Sequence, residues 1–321
     1  MKQIIKKYLL VFLEIILLPL TFISSLWFKF LRKNIVGLWQ SNSNISKSVL
    51  KYVGVFPINN QFYEPLFDTG NLKNLDKKRK LSGLEFKPEK YLNLLKNFNY
   101  NEELIKLQST NPAKGYNFYN GSFLSGDAEI LYSAVRYYRP NQIVEIGCGS
   151  SSRLIQFALN KNFEENKVKG VHTCIEPYAH DWLTNLDANV IRKKVEDVDL
   201  EIFKQLKEND ILFIDSSHMI RPQGDVLFEI LSVLPILNKG VIIHVHDIFT
   251  PRDYLKEWLQ DGTLFWNEQY LLEAFLSCNE KFEIEIPVNF LKNNYYSSLE
   301  KVCPFLEKKR EPGSFWFKKI S

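Results

Sequence analysis

The stretch Ile143-Val144-Glu145-Ile146-Gly147-Cys148-Gly149-Ser150-Ser151-Ser152 decides the fold of this chain. Its first four residues have the character of a buried strand, and the apolar spacing that begins at Leu154 predicts a helix behind the serines. Gly147 and Gly149 carry no Cβ, so the backbone between strand and helix can approach a ligand closely. The first turn of the helix adds unpaired N–H groups. The stretch therefore predicts a strand, a tight ligand-binding loop and a helix.

The residues around the two glycines indicate which ligand the loop binds. A dinucleotide-binding fingerprint has a third glycine where this chain has Ser152. The carboxylate of Glu145, two residues before the first glycine, fits a ligand with a cationic end better than one with a diphosphate. The run Glu145-Ile-Gly-Cys-Gly149 resembles the E-x-G-x-G loop of class I S-adenosylmethionine-dependent methyltransferases. This resemblance implies that S-adenosylmethionine is the cofactor.

Strand and helix patterns alternate along the rest of the chain, which predicts an α/β fold with a mostly parallel sheet covered on both faces. The order resembles the Rossmann-like seven-stranded sheet of these methyltransferases, preceded here by an N-terminal hydrophobic helix and an accessory arm. We expect helices at 128–138, capped by Asp127 or Ser125, at 225–237 and at 267–277. The expected strands are 143–146, 171–175, 190–195, 211–214, 241–245, 282–286 and 314–320.

Acidic residues follow the first three predicted strands, at the edge where open α/β sheets bind ligands. The resemblance implies that Glu145 and the loop residues hold the methionine portion of the cofactor. A carboxylate at Glu176 can accept hydrogen bonds from both ribose hydroxyls. Asp197 could contact the adenine amine, and Glu196 is an equal candidate. The alternative is that these acids only cap helices. The cofactor-binding candidates are Glu145, Gly147, Cys148, Gly149, Ser151, Glu176, Asp197 and Asp215.

A second polar cluster follows the fourth and fifth predicted strands and contains three of the five histidines. His244 and His246 are two apart on a strand and so face the same side, with His246 at the rim. The catalytic candidates are His246, His218 and Asp215. Metal-dependent O-methyltransferases carry carboxylates and amides at the corresponding strand ends, so the resemblance implies a divalent metal ion at Asp215, His246 and Asp247. Because a histidine replaces a carboxylate, we favour His246 as a general base over metal assistance.

The segment from Tyr8 to Phe28 is nearly all apolar and has basic residues on both sides, and it is about long enough to span a bilayer. Glu14 lies inside it, and Pro19 favours a kink. A single crossing therefore competes with a hairpin or an interfacial insertion bent at Pro19, and with a cleaved signal peptide. We expect residues 8–28 to hold the protein at the cytoplasmic face of a membrane through contact with lipid.

Composition and length set the remaining expectations. The patterns predict a membrane-associating segment at 1–33 and an accessory arm at 34–115, and the resemblance implies a methyltransferase domain at 116–321. A net charge of +4 over 321 residues does not imply a nucleic-acid partner. The four cysteines show no C-x-x-C spacing, so we interpret them as reduced core residues rather than a zinc site or a disulfide framework.

The sequence as a whole predicts a methyltransferase that acts on oxygen of a small-molecule or saccharide acceptor near the membrane surface. The first alternative is a nicotinamide-dependent sugar oxidoreductase, which would need the missing third glycine and a Tyr-x-x-x-Lys pair; the Tyr-Leu-Lys run at 254–256 has the wrong spacing. The second is a non-catalytic, membrane-anchored binding protein with the same fold. Such a protein would bind S-adenosylmethionine weakly or not at all.

Overall fold

A computed structural model describes residues 2–32, 44–54, 72–111, 113–167, 169–178, 181–261 and 264–321. The chain divides into two compact units, residues 1–73 and residues 74–321. Within the predicted accessory arm, residues 34–43, 55–71 and 112 lie outside the described residues. The part of the arm from residue 74 to 115 belongs to the same unit as the predicted methyltransferase domain. The boundary at residue 116 stays a prediction.

The first unit contains two described helices, α1 (Lys2–Arg32) and α2 (Asn44–Val53). Residues Lys6–Lys29 of α1 have a mean hydropathy of 2.4 and are long and apolar enough to cross a membrane. None of this apolar stretch is buried. The helix continues through Pro19 without a break. The described part of α1 therefore shows no hairpin turn at Pro19.

The second unit is built on one seven-stranded sheet with the strand order β3-β2-β1-β4-β5-β7-β6. The first five strands are parallel and β7 runs antiparallel between β5 and β6. The chain reverses its direction of strand addition between β1 and β4, which is where such sheets open a ligand crevice. The strands are β1 Gln142–Ile146, β2 Val171–Ile175, β3 Asn189–Ile191, β4 Ile211–Ile214, β5 Ile242–Val245, β6 Phe282–Pro287 and β7 Phe315–Lys319.

Helices cover the sheet and its ends. They are α3 Pro88–Leu95, α4 Asn101–Leu107, α5 Asp127–Tyr138, α6 Ser150–Asn166, α7 Glu201–Lys204, α8 Asp225–Phe228, α9 Leu234–Ile236, α10 Glu268–Leu276, α11 Val288–Asn294 and α12 Tyr296–Leu299. Short 3₁₀ turns lie at Asp181–Asn185 and Val195–Asp197, and π-helical turns at Glu229–Val233 and Glu257–Asp261.

The seven predicted strands are present, and three local predictions need correction. The third strand is shorter than expected because the chain turns after Ile191 into the 3₁₀ turn at Val195–Asp197. The helix expected at 225–237 is divided by the π turn between α8 and α9. Neither predicted cap acts on α5: its N-cap is Gly126, whose N–H is bound by the Glu129 side chain.

The core lies on both faces of the sheet. Each residue of β4 and β5 is buried, as expected for central parallel strands whose two faces are both covered. Large aromatic side chains close the core at the antiparallel end, with Trp316 and Phe317 of β7 fully buried. Because the core fixes both β4 and β5, the loops that follow these strands start from rigid positions at one edge of the sheet.

Candidate active site

The loop after β1 is held tightly against the loop after β4. Gly147 has φ +78°, and a Cβ at this position would lie 1.8 Å from the backbone oxygen of Asp215. The N–H of Asp215 donates to the oxygen of Ile146 at 2.9 Å. Only glycine satisfies both the backbone angle and this approach. The predicted tight turn is therefore required by packing between the two strand ends.

Glu145 lies beneath the loop rather than in a cavity. Its carboxylate is fully buried and accepts a hydrogen bond from Ser151 Oγ at 2.6 Å, and its other oxygen lies 2.9 Å from His172 Nε2. Cys174 Sγ lies 3.6 Å from the same oxygen. The Glu145 carboxylate thus supports the start of α6 through Ser151, which also lines the smaller cavity; direct contact of either residue with the cofactor stays a prediction.

Two adjoining cavities open at the carboxyl ends of the strands and share Gly147, Glu176 and Asp215. The smaller, about 260 Å³, is also lined by residues 148–151, Ser122, Phe123, His246 and Asp247. The larger, about 410 Å³, continues over the ends of β2 and β4. Its size is in the range of pockets that bind small ligands. Most of the predicted cofactor residues thus line one continuous crevice.

Glu176 stands between the two cavities at the end of β2. One carboxylate oxygen accepts from the N–H of Tyr178 at 2.8 Å, and the other lies 3.3 Å from the N–H of Cys148. These bonds to the backbone aim the carboxylate into the crevice, where free lone pairs can accept hydrogen bonds from a vicinal diol. The position agrees with the predicted ribose contact.

We expect Glu176→Gln to weaken binding of S-adenosylhomocysteine by roughly tenfold or more, because charge-assisted hydrogen bonds contribute about 1.5–3 kcal/mol. Titration calorimetry on the folded variant measures the loss. Glu201→Gln is the matched control, since Glu201 lies on the exposed side of α7 and pairs with Lys204. Equal affinities of the Glu176 variant and the control would contradict a ribose contact.

Asp197, which follows the third strand and was expected to contact the adenine amine, does not line the crevice. The side chain of Asp197 is exposed and lies outside the lining of both cavities, whereas Glu196 lines the larger one. The 3₁₀ turn at Val195–Asp197 rotates consecutive residues to different sides, so only one of the two acids can face the crevice. Glu196 therefore replaces Asp197 as the candidate adenine contact.

The predicted acid and imidazole cluster assembles at the ends of β4 and β5. Asp215 Oδ1 lies 3.3 Å from His246 Nδ1 and 3.3 Å from His218 Nε2. Asp247 Oδ2 lies 3.6 Å from His246 Nδ1 and 3.7 Å from His218 Nε2. One ligand atom each from Asp215, His246 and Asp247 lies within 4.8 Å of the others, so these three residues could hold a metal ion.

The charges of the cluster are strongly coupled. Burial alone would lower the pKa of His246, but Asp247, Asp215 and Asp127 outweigh it and raise that pKa well above its usual value. In His218, burial is likewise outweighed by hydrogen bonds to Asp215 and Glu268, which raise the pKa to about 10. Burial raises the pKa of Asp215, yet the two imidazoles bring it below its usual value. In Asp247, burial outweighs the two imidazoles and raises the pKa above its usual value.

Four residues beside this cluster, Asp127, Glu268, Arg310 and Ser314, could not be recognised in the sequence. Asp127, taken as a helix cap, is fully buried and lies 3.6 Å from His246 Nε2 while it accepts bonds from Ser314 N–H and Arg310. Glu268 binds His218 Nδ1 at 2.9 Å. These side chains come from α5, α10 and the segment before β7, so no local motif joins them to the strand ends.

His244 does not belong to the crevice. Its ring is fully buried, stacks on Phe213 with centroids 4.1 Å apart, and bonds Ser314 Oγ at 2.9 Å. Burial lowers its pKa well below the usual value, so it is a neutral core residue. A larger cavity of about 860 Å³ lies elsewhere, between α4 and α6, and is lined by a mixture of apolar, asparagine, lysine and glutamate side chains away from the strand ends. It has no convergent set of reactive groups.

The glycine loop and the acid and imidazole cluster fall within one segment that matches a known family. Residues 144–248 match the family model described as "Methyltransferase domain". About a third of the chain is therefore similar to methyltransferase domains. This segment runs from β1 through the end of β5 and so supplies every strand end of the crevice. Together with the strand order, the match confirms the predicted Rossmann-like class I methyltransferase fold.

Individual relatives are similar to the methyltransferase domain over part or most of its length. A protein of Archaeoglobus fulgidus named "Uncharacterized protein" is 42% identical over 97 residues, which are 29% of this chain and 42% of the relative. The chain thus spans less than half of that relative's length. Two solved structures are also similar. The O-methyltransferase of Bacillus cereus in complex with SAH has 13% identity and a TM-score of 0.36, and the match covers 74% of this chain and 93% of that chain. The O-methyltransferase TomG of Streptomyces achromogenes in complex with SAM has 13% identity and a TM-score of 0.35, and the match covers 75% of this chain and 94% of that chain.

Proposed function

We propose that the protein is an S-adenosylmethionine-dependent O-methyltransferase that acts on a small-molecule or saccharide acceptor at the cytoplasmic face of a membrane. One observation carries this proposal: the glycine loop and the cluster of Asp215, His246 and Asp247 line the same cavity. A cofactor bound to the loop would present its methyl group beside groups able to orient and deprotonate a hydroxyl. Methyl transfer needs this juxtaposition above all.

The crevice accommodates the cofactor in one orientation. The larger cavity, between Glu176 and Glu196, would hold adenosine, while the smaller one would hold the sulfonium end and the acceptor. Three carboxylates, those of Glu176, Asp215 and Asp247, line the smaller cavity beside one imidazole, and this acidic lining favours a cationic sulfonium over a diphosphate. The same charges oppose the nicotinamide alternative, whose pyrophosphate would have to lie in the glycine loop near Glu176 and Asp215.

The donor set of the cluster fits a divalent cation with mixed nitrogen and oxygen ligands. The distances from His246 Nδ1 to Asp215 and to Asp247, 3.3 and 3.6 Å, are those of atoms that share one ion. A bound divalent ion would supply Lewis acidity, which makes a hydroxyl easier to deprotonate. Asp215, His246 and Asp247 would hold it. His218 would orient Asp215 through the contact of its Nε2 atom, since Glu268 fixes the other side of the ring.

This arrangement changes the preference drawn from the sequence for His246 as an unaided base. An imidazole between three carboxylates holds its proton tightly, and an imidazolium cannot accept another. Aromatic rings close the site: Phe123 lies 4.9 Å from the ring of His246, and Trp266 lies 4.3 Å from that of His218. These rings would exclude water and provide a stacking wall for a sugar or an aromatic acceptor.

The activity is tested by measuring release of S-adenosylhomocysteine from S-adenosylmethionine with a panel of hydroxyl acceptors, with and without membranes. We expect turnover that depends on an acceptor and on Asp215. Binding of the cofactor without turnover on sugars, phenols or lipid-linked saccharides would favour the alternative of a non-catalytic binding protein.

The membrane part of the proposal rests on helix α1. We expect the full-length protein to sediment with membranes and a fragment that begins at Asn34 to remain in the supernatant, because the apolar segment of α1 is removed. A cysteine placed at position 3 and labelled from each side of sealed vesicles determines whether the segment crosses. Full-length protein that stays soluble without detergent would contradict membrane attachment.

A further inference from the structure

We propose that Cys148 and Cys174 form a reversible disulfide on exposure to a hydroperoxide and that this cross-link weakens binding in the crevice. Both cysteines are free. The Sγ atoms of Cys148 and Cys174 and one carboxylate oxygen of Glu145 all lie within 4.8 Å of one another. Cys148 lies in the glycine loop that follows β1, and Cys174 lies on the neighbouring strand β2, paired with Glu145. The effect on binding rests on the proposed function.

The surroundings of Cys174 stabilise a thiolate. Its Sγ lies 3.5 Å from His172 Nε2. On the other side of the imidazole, the amide nitrogen of Gln156 donates to the oxygen of Asp187 at 3.1 Å and lies 2.9 Å from His172 Nδ1. The same amide therefore donates to Nδ1, and the ring proton is on Nε2, where it faces Glu145 and Cys174. A sulfur beside a buried N–H donor loses its proton more readily.

The two sulfurs act as a pair. A hydrogen bond from Cys148 is the main influence that lowers the pKa of Cys174 to about 7; the imidazole of His172 contributes, while burial and the Glu145 carboxylate oppose the shift. Cys148 keeps the shared proton and is the one that lines the smaller cavity. A small oxidant in the crevice can therefore reach the pair, whereas Cys174 alone is fully buried.

The chemistry balances with a hydroperoxide as the oxidant. The Cys174 thiolate takes the proton of Cys148 as the Cys148 sulfur attacks the terminal oxygen of the hydroperoxide, and it passes that proton to the alcohol or water that leaves; Cys148 becomes a sulfenic acid and Cys174 is again a thiolate. Cys174 then attacks the sulfur of Cys148, forms the S–S bond and releases water. Two thiols and one hydroperoxide thus give one disulfide, one alcohol or water, and one water. A thiol reductant reverses the reaction.

The cross-link would change the loop that binds the cofactor. The N–H of Cys148 lies 3.3 Å from Glu176, and its neighbours Gly147 and Gly149 form the floor of the cavity. Drawing Cys148 Sγ to a bond of about 2.05 Å with Cys174 moves the tip of the loop toward β2. Because Gly147 already lies against the backbone of Asp215, this end of the loop has no room to move. The displacement would therefore fall on Cys148 and Gly149, which line the smaller cavity.

The test treats full-length protein with hydrogen peroxide, maps disulfides by peptide mass spectrometry and titrates S-adenosylhomocysteine before and after. We expect a Cys148–Cys174 linkage, an affinity lowered roughly tenfold or more, and recovery with dithiothreitol. Cys174→Ser and Cys174→Ala should bind before treatment and keep that affinity after it. Cys278→Ser is the matched control and should behave as the natural protein, because Cys278 is an exposed cysteine remote from the loop.

A linkage that forms without change of affinity would overturn the proposal, and so would oxidation that spares this pair or joins Cys278 between two molecules. Stoichiometric zinc that is released on substitution of either cysteine would overturn it as well, since the sulfurs would then be metal ligands. If the reduced protein binds no S-adenosylhomocysteine, the proposed function fails separately, and the peptide map alone decides whether the disulfide forms.

Discussion

Replacing Gly147 with valine is expected to lower the affinity for S-adenosylhomocysteine by roughly 100-fold or more. The position has φ +78°, which costs a residue with a side chain about 1–2 kcal/mol and is worse for a β-branched one. Its Cβ would also lie 1.8 Å from the Asp215 backbone oxygen. The loops after β1 and β4 must then separate, and both line the crevice. Calorimetric titration, with circular dichroism to confirm folding, measures the effect.

Two glycines nearby provide matched controls. Gly121 shares the positive φ, at +88°, but a Cβ there meets no atom within 4 Å. A Cβ at Gly149 also meets no atom within 4 Å, and the backbone there is extended. Gly121→Ala should therefore cost only backbone strain, and Gly149→Ala should keep the fold. If Gly147→Val binds as well as Gly121→Ala, the packing of the two strand ends does not shape the cofactor site.

Replacing Asp215 or Asp247 with asparagine is expected to abolish tight binding of a divalent cation and to reduce methyl transfer by about a thousandfold. Each change keeps the shape of the side chain and removes one of the two carboxylate charges of the predicted metal group. Charge stabilisation by a bound ion contributes several kcal/mol to such reactions, which corresponds to several powers of ten. Chelation of the natural protein should have the same effect as either substitution.

Cation affinity should also rise with pH. The carboxylates Asp247, Asp215 and Asp127 raise the pKa of His246, so Nδ1 or Nε2 must lose a proton before the ring can bind an ion. Calorimetry in buffers of different ionisation enthalpy measures this proton release directly. Asp187→Asn is the control, because Asp187 pairs with Lys169 on the exposed surface. Activity that survives chelation and both substitutions would place the chemistry on other residues.

The sequence predicted the parts of this site that depend on local pattern. A strand followed by Gly-x-Gly and a helix identifies the loop at Gly147 because backbone conformation and sequence are coupled over a few residues. The strand ends at Glu176, Asp215 and Asp247 could be predicted because each hydrophobic run stops at a polar residue. Strand order, and therefore the meeting of these ends at one edge, followed from the resemblance and is present in the structure.

Other parts of the site depend on contacts between distant segments and carried no local signal. Asp127 and His246 are 119 positions apart, and a buried acid at the start of a helix looks the same as a helix cap. The contacts of Glu145 also depend on a distant segment. The motif identifies Glu145 in the sequence, but it does not predict that the carboxylate is buried against the side chains of His172 and Ser151. The choice between Glu196 and Asp197 was decided by the rotation of a single 3₁₀ turn.

The central claim is that the crevice at Gly147, Glu176 and Asp215 binds S-adenosylmethionine, and a direct titration tests it. Purified full-length protein, reduced and in detergent, is titrated with S-adenosylmethionine, S-adenosylhomocysteine and NAD under the same conditions. We predict saturable binding of the first two, competition between them, and no binding of NAD, because the acidic crevice excludes a pyrophosphate. Binding of NAD in preference to both adenosyl compounds, or binding of none of the three, would contradict the account.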